Sequence, residues 1–432
     1  MRLRPLEKGM RILRYSDPGF EQAVADLHRK AAPDPAVEKT VREILEGVRL
    51  GGDRALLEFC ERFGGPRLKG GHAFRVKGKP KVDRATAAAI EEAHKNVHAF
   101  ASRSLRKSWS MRNAQGAQVG ERFDPFQRVG IYVPGGTAPL VSTAVMTVTL
   151  AAAAGVPEIV VTTPADASGK INAALHYALN RAGATEIYPV GGAQAIAALA
   201  YGTETIRPVQ KIFGPGNAYV VEAKRQVFGA VSIDLLPGPS EVLVLADASA
   251  NPAWVAADLL AQAEHGKGSQ SLLVTPSAKL LAEVENQIAA QLRTLSRQDH
   301  LAGVLKQDCT LVLVKSLKAG IALANDYAAE HLSLVVKEEA QVAAQLVTSG
   351  AIFLGGYSPV AAGDFLAGPS HTLPTGGAGK AFPGLMADMF QRRTSLVKLS
   401  RASLAKSVRT IQQFSTVEGL DAHGRSASIR LE

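Results

Sequence analysis

The stretch VGIYVPGGTAPLVSTAVMTVTLAAAAGVPEIVVTT, residues 129–163, decides the fold. VGIYV (129–133) is a short apolar run typical of a buried strand, and EIVVTT (158–163) is a second one. The alanine-rich segment between them has helical length and ends at Gly155, a residue type that favours a helix C-terminus. A strand, a helix and a second strand in this order predict two parallel strands joined by a helix that covers one face of their sheet.

The alternation continues along the chain and then repeats. EIYPV (186–190) extends the first set of strands, and VLVLA (242–246) opens a second set. The later apolar runs of strand length, most of them separated by helical segments, are SLLVT (271–275), TLVLV (310–314), LSLVV (332–336) and AIFL (351–354). The sequence therefore predicts an α/β fold with two doubly wound, Rossmann-like parallel-sheet domains, helical N- and C-terminal extensions, and a ligand crevice between the domains.

Changes in pattern predict the domain boundaries. Residues 1–25 form an N-terminal arm, and residues 129–239 form one Rossmann-like domain. Residues 26–128, which look mainly helical, join residues 240–380 in a discontinuous catalytic domain. Residues 381–432 are expected to form a mostly helical tail.

The composition is that of an ordinary globular protein. Of the 432 residues, 46% are apolar and 20% are charged. Two cysteines argue against a disulfide framework and favour a reducing, cytoplasmic location. We expect no membrane span, because the longest apolar run, residues 143–161, is interrupted at Gly155 and Pro157. We also expect no leader, because the first residues do not build an apolar segment.

The net charge of +10 is concentrated in residues 1–128, which hold 26 Lys and Arg against 16 Asp and Glu. Residues 66–82 form a basic, glycine-containing connector in this region. Neither interleaved aromatic residues nor a nucleic-acid-binding signature accompanies the charge, so we expect no nucleic-acid partner. A solvated basic surface that attracts an anionic cofactor over long range is the favoured interpretation.

Glycine-rich loops follow three predicted strands, at PGG (134–136), GGAQ (191–194) and GPGN (214–217). Backbone amides at such turns and at helix N-termini can hold phosphate groups. None of these loops is GxGxxG, and GGAGK (376–380) fails as a P-loop because it lacks the first glycine and the final Ser or Thr. Three glycine loops at the strand ends of one sheet nevertheless indicate an extended polar ligand.

The helix predicted over NPAWVAADLLAQAEHG (251–266) ends on Gln262 and His265, which lie three residues apart and therefore on one face. An amide and an imidazole there could serve as two zinc ligands, but zinc would need further His or carboxylate partners. The candidates elsewhere in the chain are Glu330, His331, Asp364, His371, Glu418 and His423. Spacing alone does not bring these residues together.

Eight ordered blocks, spread over nearly the whole chain, closely resemble the histidinol dehydrogenase family. They are VGIYVPGGTAPLVST (129–143), GGAQAIAALAYGTE (191–204), KIFGPGNAYVVEAKRQV (211–227), GPSEVLVLAD (238–247), DLLAQAEH (258–265), EHL (330–332), GDFLAGPSHTLPT (363–375) and VEGLDAH (417–423). The resemblance implies oxidation of L-histidinol to L-histidine through the aldehyde, with reduction of two NAD, as the last steps of histidine biosynthesis. It also implies one zinc ion per subunit and a homodimer with shared active sites.

The resemblance carries over to individual positions. The implied zinc ligands are Gln262, His265, Asp364 and His423, with His423 reaching the metal of the other subunit. The implied acid–base pair is Glu330 and His331. The implied NAD contacts are Tyr132, Gln194 and Asn217. The implied substrate contacts are Ser240, His331, His371, Glu418 and the four zinc ligands.

Three positions depart from the family pattern. Val360 stands where many members have Glu, Ala329 where Pro often precedes the catalytic Glu, and Ser370 where Asn often precedes the His. None of these changes removes an implied ligand or base. Val360 bears most on substrate preference, because a carboxylate close to the metal ligands is missing.

Two other functions stay open at this point. A dehydrogenase on the same scaffold could oxidise another polar alcohol, such as a sulfonated diol, although the presence of Glu418 and His423 counts against it. A zinc hydrolase could use Glu330 to activate water without a nicotinamide, although the three glycine loops count against that function.

Overall fold

The computed structural model describes residues 10–28, 34–68, 74–135 and 139–432. Up to residue 233 the elements are β1 (Arg11–Arg14), α1 (Phe20–Ala25), α2 (Pro35–Arg62), α3 (Arg84–Ser104), β2 (Trp109–Arg112), β3 (Gln118–Pro125), β4 (Arg128–Tyr132), α4 (Val141–Ala153), β5 (Glu158–Thr162), α5 (Ala173–Ala182), β6 (Glu186–Tyr188), α6 (Gly192–Tyr201), β7 (Lys211–Phe213), α7 (Ala218–Val227) and β8 (Ser232–Ile233).

The second half of the chain begins with the strand that carries VLVLA. Its elements are β9 (Glu241–Ala246), α8 (Pro252–Ala263), β10 (Gln270–Thr275), α9 (Ala278–Leu292), α10 (Gln298–Asp308), β11 (Cys309–Leu313), α11 (Leu317–Tyr327), β12 (His331–Val335), α12 (Glu339–Ala343), β13 (Ala351–Leu354), α13 (Val360–Phe365), β14 (Gln391–Lys398), α14 (Arg401–Glu418) and α15 (Asp421–Ser428). Short 3-10 helices lie at Ala378–Lys380, Ala387–Phe390 and Ile429–Leu431.

Two parallel sheets form the body of the protein and confirm the predicted α/β fold. The five-stranded sheet has the order β6-β5-β4-β7-β8, and the six-stranded sheet has the order β1-β11-β10-β9-β12-β13. Every strand pair in both sheets is parallel. The central strands β4 and β9 are buried along their whole length, as expected for parallel strands that are covered by helices on both faces.

Helices α2 and α3 pack differently from the prediction. The apolar face of α2 joins Tyr132, Val190 and Ile196 in one core cluster, and α3 packs in a second cluster with α4 and β4. The predicted grouping of residues 26–128 with 240–380 is therefore wrong for these two helices, because their buried side chains lie against the five-stranded sheet. The other predicted domain boundaries stay predictions.

A third, antiparallel sheet was not expected from the sequence. Strands β2, β3 and β14 form it in the order β14-β3-β2, and β14 pairs with β3 along eight residue pairs from Gln391 to Lys398. The predicted tail of residues 381–432 is therefore helical only after Lys398. Within the described residues, no helix is both long and apolar enough to cross a membrane.

Candidate active site

The predicted acid–base pair lies at the amino edge of the six-stranded sheet. His331 is the first residue of β12 and pairs with Val242 of β9, so Ser240 and Glu330 each stand at the start of adjacent parallel strands. Helix α8 runs back between β9 and β10, and Gln270 at the start of β10 pairs with Glu241. The C-terminal end of α8 therefore returns to this same edge.

The His331 side chain is buried, and its surroundings set its tautomer. Nδ1 lies 3.1 Å from the backbone oxygen of Glu241 and 3.5 Å from Glu330 Oε2. Both neighbours only accept hydrogen bonds, so Nδ1 carries the hydrogen and the lone pair is on Nε2. Nε2 is buried without a hydrogen-bond partner among the described residues and lies 3.6 Å from Asp364 Oδ1. The imidazole therefore presents an unused basic nitrogen beside a carboxylate.

One oxygen of Glu330 is held and the other is free. Oε2 accepts a hydrogen bond from Ser240 Oγ at 2.6 Å and another from the backbone N–H of Glu241 at 2.9 Å. Oε1 makes no hydrogen bond within the described ranges, so one lone-pair face of this buried carboxylate remains available. The pair thus offers two potential bases whose orientation is fixed by the start of β9.

The end of α8 carries the side-chain amide of Gln262, one atom of which has no hydrogen-bond partner among the described residues. Gln262 is buried, and its side-chain nitrogen has no hydrogen-bond partner in the described part of the chain. The oxygen and nitrogen of a side-chain amide are assigned from their partners, so rotation by 180° would place the oxygen at this unpartnered position. A buried amide oxygen without a donor is a suitable ligand for a cation. His265, one turn further along, has an exposed side chain.

The loop after α13 connects the site to the five-stranded sheet. His371 Nδ1 lies 3.1 Å from the backbone oxygen of Asp364, and its Nε2 lies 2.9 Å from Thr143 Oγ1 in α4. Burial lowers the pKa of His371, and the nearby Asp364 carboxylate opposes this effect. Asn96 of α3 donates a hydrogen bond to the backbone oxygen of Leu366 at 3.0 Å. Asp364 therefore lies where the two sheet units meet.

The three family departures lie in well-packed positions. Val360 belongs to the apolar cluster that includes Val255 and Leu259 of α8. Ala329 is fully buried, and Ser370 Oγ accepts a hydrogen bond from the backbone N–H of Thr372 at 3.2 Å. Among the described residues, no hydrogen bond joins Val360, Ala329 or Ser370 to the side chain of His331 or Glu330.

Glu418 and His423 lie in the C-terminal helices and have exposed side chains. Among the described residues, no hydrogen bond or ion pair joins His423 to the end of α8 or to Asp364. Helices α14 and α15 pack mainly on each other, and they expose Phe414, Val417 and Leu420. The structure of one chain thus brings Glu330, His331 and Asp364 together and leaves the two C-terminal residues on the surface.

No group of three or more His, Cys, Asp or Glu side chains suitable for a metal occurs within the part of the chain that the structure describes. The predicted ligand set contains only two residues of these types, His265 and Asp364, apart from the C-terminal His423. The donors still fit zinc by type, since zinc accepts imidazole nitrogen and carboxylate oxygen. The unpartnered amide of Gln262 is the structural observation that agrees with a cation at this position.

A cavity of about 540 Å³ lies at the carboxyl edge of the five-stranded sheet. All three predicted NAD contacts line it, namely Tyr132 at the end of β4, Gln194 in α6 and Asn217 before α7. The Tyr132 hydroxyl accepts a hydrogen bond from the backbone N–H of Gly192 at 3.2 Å, and burial raises the pKa of Tyr132. Of the glycine loop 134–136, Gly135 lines the cavity and Gly136 lies outside the described residues.

The helix ends around this cavity fit a phosphate-containing ligand. Helix α6 begins after Gly191 without a side-chain cap, which leaves its first-turn amides facing the loop that lines the cavity. Asn217 Oδ1 accepts hydrogen bonds from the backbone N–H groups of Tyr219 and Val220, both at 3.1 Å, and its amide nitrogen donates to none of the described residues.

A fully buried ion pair fixes the loop 214–217. Lys224 of α7 is paired with Asp234, and both side chains are inaccessible to solvent. Lys224 Nζ donates to the backbone oxygen of Gly214 at 2.9 Å, and Gly214 N–H donates to Asp234 Oδ2 at 2.7 Å. Gly214 has φ 106°, and a Cβ there would lie 2.1 Å from the backbone oxygen of Tyr132. Only glycine can occupy this position.

Several residues of the site were not identified from the sequence. Thr143 contacts His371, the Glu241 backbone orients His331, and Cys60 lines the cavity beside Gln194. Burial raises the pKa of Cys60 to about 11, and a hydrogen bond to Gln194 opposes that rise, so the thiol stays neutral. Thr143 and Glu241 lie inside the blocks 129–143 and 238–247, which resemble the family pattern. This resemblance was the only indication in the sequence that they belong to the site.

Comparison with known proteins points to one family. A family model described as Histidinol dehydrogenase matches residues 27–431. A histidinol dehydrogenase from Heliobacterium mobile is 41% identical over 412 residues, which are 94% of this chain and 96% of the relative. One from Brucella abortus strain 2308 is 43% identical over 425 residues, 97% of this chain and 99% of the relative.

A solved structure agrees over the whole fold. The crystal structure of histidinol dehydrogenase from Elizabethkingia anophelis has a TM-score of 0.92 to this chain at 33% sequence identity, and the match covers 98% of each chain. The family model and the two relatives extend over the same region, so the resemblance predicted from the eight sequence blocks is confirmed. The chain belongs to the histidinol dehydrogenase family and is an oxidoreductase.

Proposed function

We propose that the protein oxidises L-histidinol to L-histidine through the aldehyde, with NAD as hydride acceptor and zinc as a substrate-positioning metal. Family membership supports the reaction class. The single observation that carries the site assignment is the His331 imidazole, whose Nδ1 is held by the Glu241 backbone oxygen while Nε2 is buried and unpartnered among the described residues.

His331 acts as the base for the alcohol. Its Nε2 lone pair takes the hydroxyl proton as the carbinol hydride leaves, and a fixed, desolvated imidazole is suited to this transfer near neutral pH. The proton then rests on Nε2, 3.6 Å from the Asp364 carboxylate, which attracts the positive charge of the ring. Bound NAD supplies the acceptor for the hydride.

Glu330 acts as the base for the second oxidation. The aldehyde must first add water, because the hydrogen that remains on its carbon can leave as hydride only from the hydrate, where a hydroxyl oxygen stabilises the carbon as the acid forms. Glu330 Oε2 is held by Ser240 and by the backbone of Glu241, and the free Oε1 can take a proton from the attacking water. The two bases therefore work in sequence on one carbon from the same edge of the sheet.

Gln262, His265, Asp364 and His423 would hold the zinc ion. Bound zinc would supply a fixed positive centre that binds nitrogen atoms of the substrate and orients its carbinol carbon. His423 would come from a second copy of the chain, since its own helices expose it. Ser240, His371 and Glu418 would complete the substrate contacts of the resulting homodimeric sites.

The cofactor would occupy the cavity lined by Tyr132, Gln194 and Asn217. Its volume of about 540 Å³ is in the range typical of small-molecule sites. Its position supports this assignment, because it lies at the carboxyl edge of a parallel sheet beside an uncapped helix N-terminus. The buried, reduced cysteines favour the cytoplasm as the location of the enzyme.

The deciding experiment follows NADH formation from L-histidinol in the purified protein. We expect two NADH per histidinol, loss of turnover with a chelator, and recovery on addition of zinc. Absence of turnover with histidinol in the zinc-loaded protein would overturn the proposal. The comparisons do not support the alternative of a dehydrogenase for a sulfonated diol. Turnover of such a diol, without turnover of histidinol, would support that alternative instead.

A further inference from the structure

A second cavity, which we call the basic cavity, lies beside the cofactor cavity on the five-stranded sheet. Its volume is about 480 Å³, and Pro189 belongs to the walls of both cavities. Its charged and titratable lining residues are Arg67, Arg75, Lys77, Lys170 and His176. Among the described residues no Asp or Glu lines it. A concave site with positive groups and without carboxylates favours an anionic ligand.

Arg67, Leu68 and residues 74–77 contribute one wall of the basic cavity. The backbone N–H of Val76 donates to Ile187 of β6 at 2.8 Å, which lays this segment along the edge of the sheet. Arg75 Nη2 donates to the backbone oxygen of Thr185, a neutral partner, at 2.6 Å, and the Arg75 charge also helps to lower the pKa of Glu186. The nearby Glu186 is already paired with Arg128.

The loop between β5 and α5 forms the opposite wall. Asp166 Oδ1 accepts hydrogen bonds from the backbone N–H groups of Ser168, at 2.9 Å, and Lys170, at 3.0 Å. The only carboxylate of this loop thus stabilises its turn. Lys77 and Lys170 form no ion pair within the described residues, whereas Arg67 is paired with Glu61.

His176 is the unusual member of this lining. It lies in the second turn of α5, is 91% buried, and its ring makes no hydrogen bond to any described residue. The ring lines the basic cavity, so a ring nitrogen is available to a ligand there. Ala173, the first residue of α5, also lines the cavity, so the positive end of the helix dipole adds to the attraction for an anion.

We propose that the basic cavity binds the phosphate group of a small organic anion. Lys77, Lys170 and Arg75 supply the positive charge, and a ring N–H of His176 donates a hydrogen bond to a phosphate oxygen. This site gives a role to the basic connector, which the dehydrogenase chemistry does not use. It is independent of the proposed reaction, since binding at the basic cavity needs no turnover.

Calorimetric titration of the full-length protein with inorganic pyrophosphate at low ionic strength tests the proposal. The double variant Lys77→Gln/Lys170→Gln removes two exposed charges from the site. We expect its Kd to rise by about tenfold or more, as expected from the loss of charge-assisted hydrogen bonds. The matched control Lys279→Gln/Lys318→Gln removes two exposed lysines from α9 and α11 and should keep the wild-type Kd.

His176→Phe tests the hydrogen bond from the His176 ring to phosphate separately from the lysine charges. The variant removes the ring N–H and changes no lysine. We expect it also to weaken pyrophosphate binding, with an unchanged unfolding midpoint. No binding to the wild-type protein, or equal Kd values in the site and control double variants, would overturn the proposal.

A titration with pyrophosphate in the presence of NAD identifies the source of the phosphate group. Competition between NAD and pyrophosphate would identify the phosphate as part of a dinucleotide that extends from the neighbouring cavity. Independent binding of the two would identify a separate phosphorylated metabolite. Either outcome supports an anion site in the basic cavity.

Discussion

His331 Nε2 lies 3.6 Å from Asp364 Oδ1, a distance too long for a hydrogen bond and short enough for strong attraction once the ring is protonated. Nε2, which has no hydrogen-bond partner among the described residues, can take a proton, and the carboxylate beside it attracts the positive charge that the transfer creates. This arrangement connects the start of β12 with helix α13. It also places the base next to a predicted zinc ligand.

His331→Asn should lower kcat for histidinol oxidation by about 10²- to 10⁴-fold, the usual contribution of a positioned general base. Asn is smaller and can still donate to the Glu241 backbone oxygen, so the unfolding midpoint and NAD affinity should stay near wild type. Steady-state NADH formation and thermal unfolding measure the two effects. His98→Asn, an exposed change on α3, is the matched control and should keep full activity. Normal turnover of His331→Asn would remove its assignment as the base.

Shared active sites predict complementation between two inactive chains. His265→Ala and His423→Asn should each lose zinc and activity as pure proteins. Co-expression allows mixed dimers, in which one site combines an intact body with an intact His423 from the other chain. We therefore expect about one quarter of wild-type activity in a statistical mixture of dimers. No recovery in mixed dimers confirmed by mass spectrometry would mean that His423 does not act across the interface.

Most strands of the two parallel sheets could be predicted because buried parallel strands are almost continuous apolar runs, whereas β1 (RILR) and the two-residue β8 lack such a run and were not predicted. VGIYV and VLVLA coincide with β4 and β9 within one residue at each end. Strand β3, with the sequence QVGERFDP, mixes charged and small residues on a half-exposed sheet and therefore showed no strand pattern. The partner of α2 could not be predicted either, because its periodicity defines an apolar face but not the sheet that covers it.

The chemistry of the site was predictable only in part. Glu330 and His331 adjoin a strand start, and their sequence block identified them by resemblance. The contact that sets the His331 tautomer comes from a backbone oxygen 90 residues away, and no side-chain pattern reports such a contact. The antiparallel pairing of β14 with β3, which positions the C-terminal helices, likewise joins distant segments without an apolar signal.

Low pH should reduce the stability of the folded protein, because Glu186 becomes protonated. Hydrogen bonds from Arg128 lower the pKa of Glu186 from 4.5 to about 2, and the Arg128 side chain is only 7% exposed. Because the folded-state pKa is depressed, this carboxylate stabilises the fold fully above pH 4.5 and loses that contribution as the pH falls from 4.5 towards 2.

Arg128→Met should therefore cost about 3 kcal/mol at pH 7, since it removes the buried cation that contacts this largely buried carboxylate most closely and leaves only the more distant Arg207. The difference from wild type should shrink as the pH falls below 4.5, where Glu186 of the variant becomes protonated. Urea unfolding at a series of pH values measures this trend. Arg49→Met, which breaks the exposed pair with Glu46, is the control and should show little change at any pH. A pH-independent difference for Arg128→Met would contradict the linkage.

The Lys224–Asp234 pair should position the cofactor loop as well as stabilise the fold. Lys224→Met leaves Asp234 buried without its partner and should cost about 3–5 kcal/mol, whereas Lys224→Met/Asp234→Leu should recover most of that loss. The double variant still lacks both groups that hold the Gly214 peptide, so Asn217 should be less well placed and the Kd for NAD should rise by about tenfold. Urea unfolding measures the change in stability, and NAD titration measures the change in Kd. Recovered stability together with wild-type NAD affinity in the double variant would show that the pair is only structural.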